Sequence, residues 1–90
     1  MKSIVERFLV IWIEERLEAK WLEGRTHVKA DRWYTIRRTN DMRASEIELI
    51  QKLFPEYEVW LATGREFPDA GQISPMTKKA KDILKPTDKN

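Results

Sequence analysis

The sequence predicts an all-α fold, a small helical bundle built as a single domain. Apolar residues recur at spacings of three and four along most of the first two thirds of the chain, the period of a helix that buries one face. Two Ser-x-x-Glu sequences, at Ser3 and Ser45, match the pattern of a helix-capping box. Four Trp, three Phe and two Tyr in 90 residues supply the apolar volume for one modest core.

The first element is predicted to be one long helix over residues 3–22. Ser3 would cap it, and Gly24 follows its end as a C-terminal signal. Val10 and Ile13 make its apolar surface wider than a single core needs. Two interpretations stay open: a central helix contacted from several sides, or a face for self-association. The residues of such a face would be Val5, Phe8, Leu9 and Trp12.

A second helix is predicted at about 29–38, after a break at residues 24–27. Trp33 and Ile36 are three positions apart, so a helix would turn both toward the core. Aromatic and β-branched residues in this stretch make a strand the competing interpretation. Helix is favoured because no second strand candidate exists to pair with it. Asn40 suits the left-handed conformation that ends many helices.

Two further helices are predicted, over residues 46–54 and 56–63. Ser45 would cap the first of them, and Pro55 fits the first turn of the second. Gly64 is expected to end the second helix, because glycine readily takes the left-handed conformation of a helix C-terminus.

The domain organisation follows from where this periodicity stops. Residues 1–75 are assigned to the helical domain, because Pro and Gly break the pattern beyond residue 65. Residues 76–90 are assigned to a polar, Lys-rich and flexible tail with room for a short helix at 76–84. The last several residues are expected to be disordered.

Composition excludes several kinds of site. The chain has no Cys, and its single His27 cannot form a multi-histidine metal site, so no metal or cofactor is expected. Ser3 and Ser45 are explained as caps, and Ser74 has no adjacent base, so an enzyme is not expected. No apolar run approaches the roughly 18–20 residues of a membrane span. The expected location is the cytoplasm.

Charge is segregated along the chain although the net charge is only +2. Residues 25–43 hold six basic and two acidic side chains, whereas residues 44–71 hold two basic and six acidic ones. A local basic band of this kind is suited to the phosphates of a nucleic acid. The competing interpretation is that the band pairs with the acidic segment, although each surface ion pair is worth only about 0–1 kcal/mol.

Several spacings match those of a known family. Its recognition helix follows an apolar residue at the end of the turn, with a second apolar residue five positions on and a third three later. The matching residues are Val28, Trp33 and Ile36. Ser45 then opens the next helix, and Trp60-Leu61-Ala62-Thr63-Gly64 ends the last one. Together with the ending at 68–75, these features resemble small phage or prophage Cro/repressor-like (XRE-type) helix-turn-helix proteins over about residues 28–75.

The stretch before the recognition segment departs from the pattern of that family. The first motif helix normally carries a central Ala and is followed by Gly in the tight turn. Here the turn position is His27, and Gly24 falls where helix is expected. Either that helix is very short, or the long first helix and an extended link replace it. The resemblance therefore implies a lambda-repressor-like helix-turn-helix variant with a long N-terminal helix and a degenerate first motif helix.

The resemblance implies a sequence-specific DNA-binding transcriptional regulator that binds double-stranded DNA as a homodimer, with its recognition helix at about 29–38. Arg38 or Lys29 would read guanine, and Thr35 would meet a base edge or a thymine methyl. The expected DNA-binding residues are Arg25, Lys29, Arg32, Tyr34, Thr35, Arg37, Arg38 and Arg43. Of these, Arg25, Arg32, Arg37 and Arg43 are better suited to phosphates.

The alternative function is a non-enzymatic protein-interaction module, a phage-encoded adaptor or inhibitor that binds a host protein. The degenerate first motif helix and the broad apolar face of the first helix favour it. The feature that discriminates between the two functions is whether residues 22–28 can form the missing helix.

Overall fold

The computed structural model describes residues 3–84, and that part of the chain holds six α-helices. They are α1 (Ile4–Glu14), α2 (Ala19–Thr26), α3 (Ala30–Thr39), α4 (Ala44–Leu53), α5 (Glu58–Thr63) and α6 (Pro75–Leu84). Single 3-10 turns lie at Pro55–Tyr57 and Pro68–Ala70. No strand occurs between residues 3 and 84, apart from an isolated bridge of Phe67 with Gln72. The predicted all-α small helical bundle is confirmed.

The predicted long helix over residues 3–22 is wrong, because α1 and α2 are separate helices. The Ser3 cap is correct: the Ser3 N–H donates to Glu6 Oε1 at 2.8 Å, and the Glu6 N–H donates to Ser3 Oγ at 3.2 Å. Residues 15–18, however, interrupt the helix. The separation also changes the reading of Gly24, which lies inside α2 rather than beyond the end of a helix.

The break after α1 has the hydrogen bonds of a Schellman motif. The Arg16 N–H donates to Ile13 O at 3.2 Å, and the Leu17 N–H donates to Trp12 O at 2.9 Å. Arg16 itself has a φ of 54°, a left-handed conformation that favours glycine. The sequence has neither glycine nor proline at residues 15–18 to indicate the end of a helix. Because the apolar periodicity continues across these residues, it predicts one unbroken helix.

The core forms around α1, which contacts α5 and α6. Phe8, Ile11, Leu22, Trp33, Ile36, Ile50 and Leu61 are each 0% exposed. The rings of Phe8 and Trp33 lie 5.7 Å apart, which joins α1 to α3. The inward orientation predicted for Trp33 and Ile36 is confirmed.

The burial of α1 corrects the predicted self-association face. Phe8 is 0% exposed and Trp12 is 6% exposed within a single subunit, so both side chains belong to the core. Val5 and Leu9 are half-buried and pack against that core. Of the two interpretations of α1, the central helix contacted from several sides is the one that the structure shows for Phe8 and Trp12.

The Trp60–Gly64 sequence has a structural role at the end of α5. Arg7 of α1 is buried, and its Nε donates to Leu61 O at 2.8 Å while its Nη2 donates to Ala62 O at 3.3 Å. A cation at a helix C-terminus satisfies carbonyl groups that have no partner within the helix. Gly64, with a φ of 80°, ends α5 as predicted.

The helix α4 starts two residues earlier than predicted, and its capping box is not at Ser45. Arg43 is the N-cap residue, and its N–H donates to Glu46 Oε1 at 2.7 Å. Ser45 lies in the first turn of the helix and is exposed. Glu46, in this first turn, both accepts from the Arg43 N–H and binds Arg32 of α3.

The short helix that the sequence allows at residues 76–84 is present as α6. Ser74 precedes it and is buried, and its Oγ accepts from the Thr77 N–H at 3.1 Å. Ion pairs join α6 to the end of α1: Lys78 Nζ lies 3.1 Å from a Glu15 oxygen, and Lys79 Nζ lies 3.6 Å from a Glu14 oxygen. The last several residues, which are predicted to be disordered, lie outside the described part of the chain. The domain boundary at residue 75 stays a prediction. No helix within residues 3–84 is long and apolar enough to cross a membrane.

Candidate nucleic-acid interface

Two helices, α2 and α3, are joined by a turn of three residues at 27–29. His27 ends α2 in the left-handed conformation, with a φ of 65° and a ψ of 7°. Its N–H donates to Glu23 O at 2.8 Å. The Glu23 side chain then reaches across the turn, because its Oε1 accepts from the Ala30 N–H at 3.1 Å and so caps the start of α3. The helix that the sequence left in question at residues 22–28 therefore exists as α2, and it extends to Thr26.

Side chains also fix the middle of this turn. The Thr26 hydroxyl donates to Leu22 O at 2.6 Å and accepts from the Val28 N–H at 3.1 Å. On the other side, Trp33 Nε1 donates to Val28 O at 3.1 Å. Both backbone groups of Val28 are thus bonded to side chains, so the core residue Trp33 and the end of α2 together set where α3 begins.

The face of α3 opposite its buried side is polar and basic. Tyr34 is 48% exposed, and Lys29, Arg37 and Arg38 are exposed as well. Within the described residues, the side chains of Lys29 and Arg38 form neither a hydrogen bond nor an ion pair. Both cations therefore present their full charge to the solvent.

Thr35 and Arg43 have weak local contacts only. The Thr35 hydroxyl donates to Asp31 O at 3.0 Å, an ordinary bond within a helix, and its oxygen can still accept a further hydrogen bond. Arg43 lies just before α4, where its Nη1 is 3.7 Å from a Glu46 oxygen, and its side chain is 72% exposed. A pair this exposed and this long does not prevent Arg43 from meeting another anion.

Arg32 differs from the other predicted DNA-binding residues because its charge is neutralised inside the protein. Its Nε donates to Glu46 Oε2 at 2.6 Å and its Nη2 donates to Glu46 Oε1 at 2.9 Å. Glu46 is only 2% exposed. The bond from Arg32 lowers the pKa of the Glu46 carboxyl below its ordinary value of 4.5, against the opposing effect of burial. Arg32 therefore ties α3 to α4, and the ion-pair interpretation of the basic band is correct for this residue.

Two arginines of the interface lie against aromatic rings. The Arg37 Cζ is 5.0 Å from the ring centroid of Trp12 and 5.5 Å from that of Tyr34. The Arg25 Cζ is 5.4 Å from the ring centroid of Trp21, which is 41% exposed on α2. Such contacts orient a guanidinium group without cancelling its charge.

No protein-family model matches the sequence, and no curated protein matches it either. Among solved structures, the chain is similar to Pf6r from the filamentous phage Pf6 of Pseudomonas aeruginosa PA01, with a TM-score of 0.78. The two chains are 30% identical, and the match covers 92% of this chain and 98% of the Pf6r chain. The chain belongs to the Pf6r family. Because the match spans nearly all of both chains, the likeness to Pf6r concerns the whole fold and not a shared helix pair alone. The resemblance to small phage proteins is thus supported in part, since Pf6r is a protein of a filamentous phage.

Sequence reasoning missed three features of this region. The sequence does not identify Glu46 as the partner of Arg32, because this pairing depends on how α3 lies against α4. Glu23 gave no sign of capping a helix that starts seven positions later. The contact of Arg37 with Trp12 joins residues that are 25 positions apart, and no local pattern predicts it.

Proposed function

We propose that the protein is a sequence-specific DNA-binding transcriptional regulator of phage type, in which α2 and α3 form a helix-turn-helix motif and α3 is the recognition helix. The observation that supports this proposal most is the presence of α2 and of the three-residue turn before α3. In helix-turn-helix proteins the first helix crosses the DNA backbone, while the second helix lies in the major groove. Membership of the Pf6r family supports the phage context of the proposal.

The exposed side chains divide into two roles. Lys29, in the turn just before α3, and Arg38, near the end of α3, have side-chain charges that no described residue pairs, and either can donate to guanine. Thr35 presents a hydroxyl and a methyl group between them. Arg25 and Arg43, on either side of α3 in the chain, are suited to backbone phosphates because their long side chains are exposed.

A homodimer remains part of the proposal, because two copies of α3 are needed to occupy successive major grooves. Phe8 and Trp12 no longer belong to its interface, since both are in the core. Sedimentation of the free protein and of its DNA complex would establish the number of subunits. A cytoplasmic location follows from the same proposal, because the DNA is there.

The alternative function, a protein-interaction module, was favoured by two features: the degenerate first motif helix and the broad apolar face of the first helix. Both grounds are weaker than the sequence indicated, because α2 lies directly before the turn and because Phe8 and Trp12 of α1 are in the core. The alternative nevertheless predicts a distinct result in the experiment below, namely a folded protein without affinity for DNA.

The experiment measures binding to random-sequence duplexes over a series of salt concentrations, followed by selection of preferred sequences. With about six phosphate contacts for a pair of subunits, log K should fall by about 5 for each tenfold increase in salt. Arg38→Ala should abolish sequence preference, Arg43→Ala should weaken all sequences alike, and Lys52→Ala, an exposed cation near the end of α4, should change neither. A folded wild-type protein that shows no binding at roughly 50 mM salt would refute the proposal.

A further inference from the structure

The guanidinium group of Arg37 lies between two aromatic rings from two different helices. Trp12 comes from α1 and Tyr34 comes from α3, and their ring centroids are 6.4 Å apart with planes inclined at 46°. The Arg37 Cζ is within 5.5 Å of both centroids. No carboxylate between residues 3 and 84 forms an ion pair with it. Arg37 is therefore oriented by neutral rings and keeps its whole charge.

Arg32, five residues earlier on the same helix, shows the loss of free charge that this arrangement avoids. Its guanidinium is held by the Glu46 carboxylate, which orients the group and also neutralises it. An arginine fixed in that way has little electrostatic attraction left for a phosphate. The face of a ring attracts a cation through its quadrupole and leaves the outward N–H donors without partners.

The two rings differ in how firmly the protein holds them. Trp12 is 6% exposed and packs edge-on against Phe8, with ring centroids 5.8 Å apart, so it cannot move without disturbing the core. Tyr34 is 48% exposed on the outward face of α3. A free Arg side chain loses rotamer entropy when it binds, and ordering part of the side chain beforehand lowers the entropic cost of a phosphate contact.

We propose that Trp12 and Tyr34 are positioning residues that hold the Arg37 guanidinium, with its charge uncompensated, to donate to a phosphate of the DNA backbone. This inference rests on the proposed function and assigns Tyr34 a role different from base or backbone contact. Tyr34 acts through Arg37 and does not need to touch the DNA itself. The competing explanation is that the same contacts only fasten α3 to α1.

The test is a double-mutant cycle on duplex DNA binding with wild type, Arg37→Ala, Tyr34→Leu and the double variant. Arg37→Ala should weaken binding about tenfold, the loss of one charge-assisted hydrogen bond. It should also reduce the salt slope by about 0.9 for each bound subunit. Tyr34→Leu should weaken binding about threefold, and in the Arg37→Ala background it should have no further effect. Tyr34→Phe keeps the ring and should bind like wild type.

Each outcome has a defined meaning. Equal losses from Tyr34→Leu in both backgrounds would show that Tyr34 meets the DNA directly, which overturns the inference. Thermal destabilisation by Arg37→Ala with unchanged affinity and salt slope would show a purely structural contact and would also overturn it. In both cases the wild type still binds DNA, so the proposed function survives. A wild type that does not bind DNA refutes the proposed function and this inference together.

Discussion

The two halves of the chain use different residue types where the backbone takes the left-handed conformation at the end of a helix or turn. In the half that contains α1, α2 and α3, the residues with left-handed backbone are Arg16, His27 and Asn40, with φ between 54° and 65°. In the half that contains α4, α5 and α6, the corresponding residues are Gly64 and Gly71. A left-handed conformation costs an L-residue roughly 1–2 kcal/mol, and glycine avoids that cost. The first half therefore adopts its turns against local strain, and the second half does not.

Strained backbone persists only where the surrounding structure determines it. Around His27 that support consists of side-chain bonds: Glu23 caps α3, and the Thr26 hydroxyl bonds the Val28 N–H. The second half gives further support through Glu46, which binds Arg32 from α4. The helix pair proposed to meet DNA thus depends on side-chain bonds around its turn and on an ion pair with α4.

The largest effect is expected when that support is removed from the second half. Arg32→Ala should lower the free energy of unfolding by on the order of 3 kcal/mol, because it leaves the nearly buried Glu46 carboxylate without its main partner. Chemical denaturation measures the change. Arg38→Ala, on the same helix but exposed and unpaired, is the matched control and should stay within about 0.5 kcal/mol of wild type. Equal effects of the two substitutions would mean that the ion pair does not tie the halves together.

The pH dependence of the same pair gives an independent check. Because the folded pKa of Glu46 is lowered, chiefly by its bond with Arg32, its contribution is fully present above the ordinary value of 4.5 and is lost as the pH falls through the lowered value. The stability difference between wild type and Arg32→Ala should therefore be greatest above pH 4.5 and should narrow below it. A difference that stays constant through the acid range would exclude Glu46 as its source.

The same contrast explains which elements the sequence could predict. The spacing of Trp33 and Ile36 predicted α3, because apolar residues three positions apart lie on one buried face of a helix. Gly64 predicted the end of α5, because glycine readily takes the left-handed conformation that ends a helix. Arg16 and His27 are not residue types that predict a helix end. The break after α1 was therefore missed, and the presence of α2 could not be decided from the sequence. The pairing of Arg32 with Glu46 depends on how α3 lies against α4, which only the assembled fold determines.

Replacing glycine by alanine is expected to change the free energy of unfolding by a smaller amount, with opposite signs at Gly64 and Gly24. Gly64→Ala should destabilise the protein by about 1–2 kcal/mol, because alanine resists the left-handed conformation. Its φ is 80°, and an added Cβ would lie 3.3 Å from Arg7 Nη1. Gly24→Ala is the counterpart in α2, where the added Cβ meets nothing within 4 Å. It should stabilise the protein by roughly 0.5–1 kcal/mol, since alanine is the better helix former.

Thermal unfolding of both variants would show the contrast as shifts of the midpoint in opposite directions. If Gly24→Ala also lowered the midpoint, α2 would not be an ordinary helix at that position. If Gly64→Ala had no effect, the end of α5 would tolerate a side chain. The two halves would then differ in residue type at these positions but not in backbone strain.

The smallest effect is expected from giving the first half the residue that the second half uses. His27→Gly should raise the free energy of unfolding by about 0.5–1 kcal/mol, because relief of the left-handed strain exceeds the added flexibility of glycine in the unfolded chain. Asn40→Gly should change stability less, since asparagine tolerates this conformation better than histidine. Calorimetry measures both, and a loss of stability in His27→Gly would show that the imidazole contributes to the turn. If His27→Gly is more stable and binds DNA with unchanged affinity, the strain at this turn has no part in recognition. The bonds of Glu23, Thr26 and Trp33 would then be sufficient to set the start of α3.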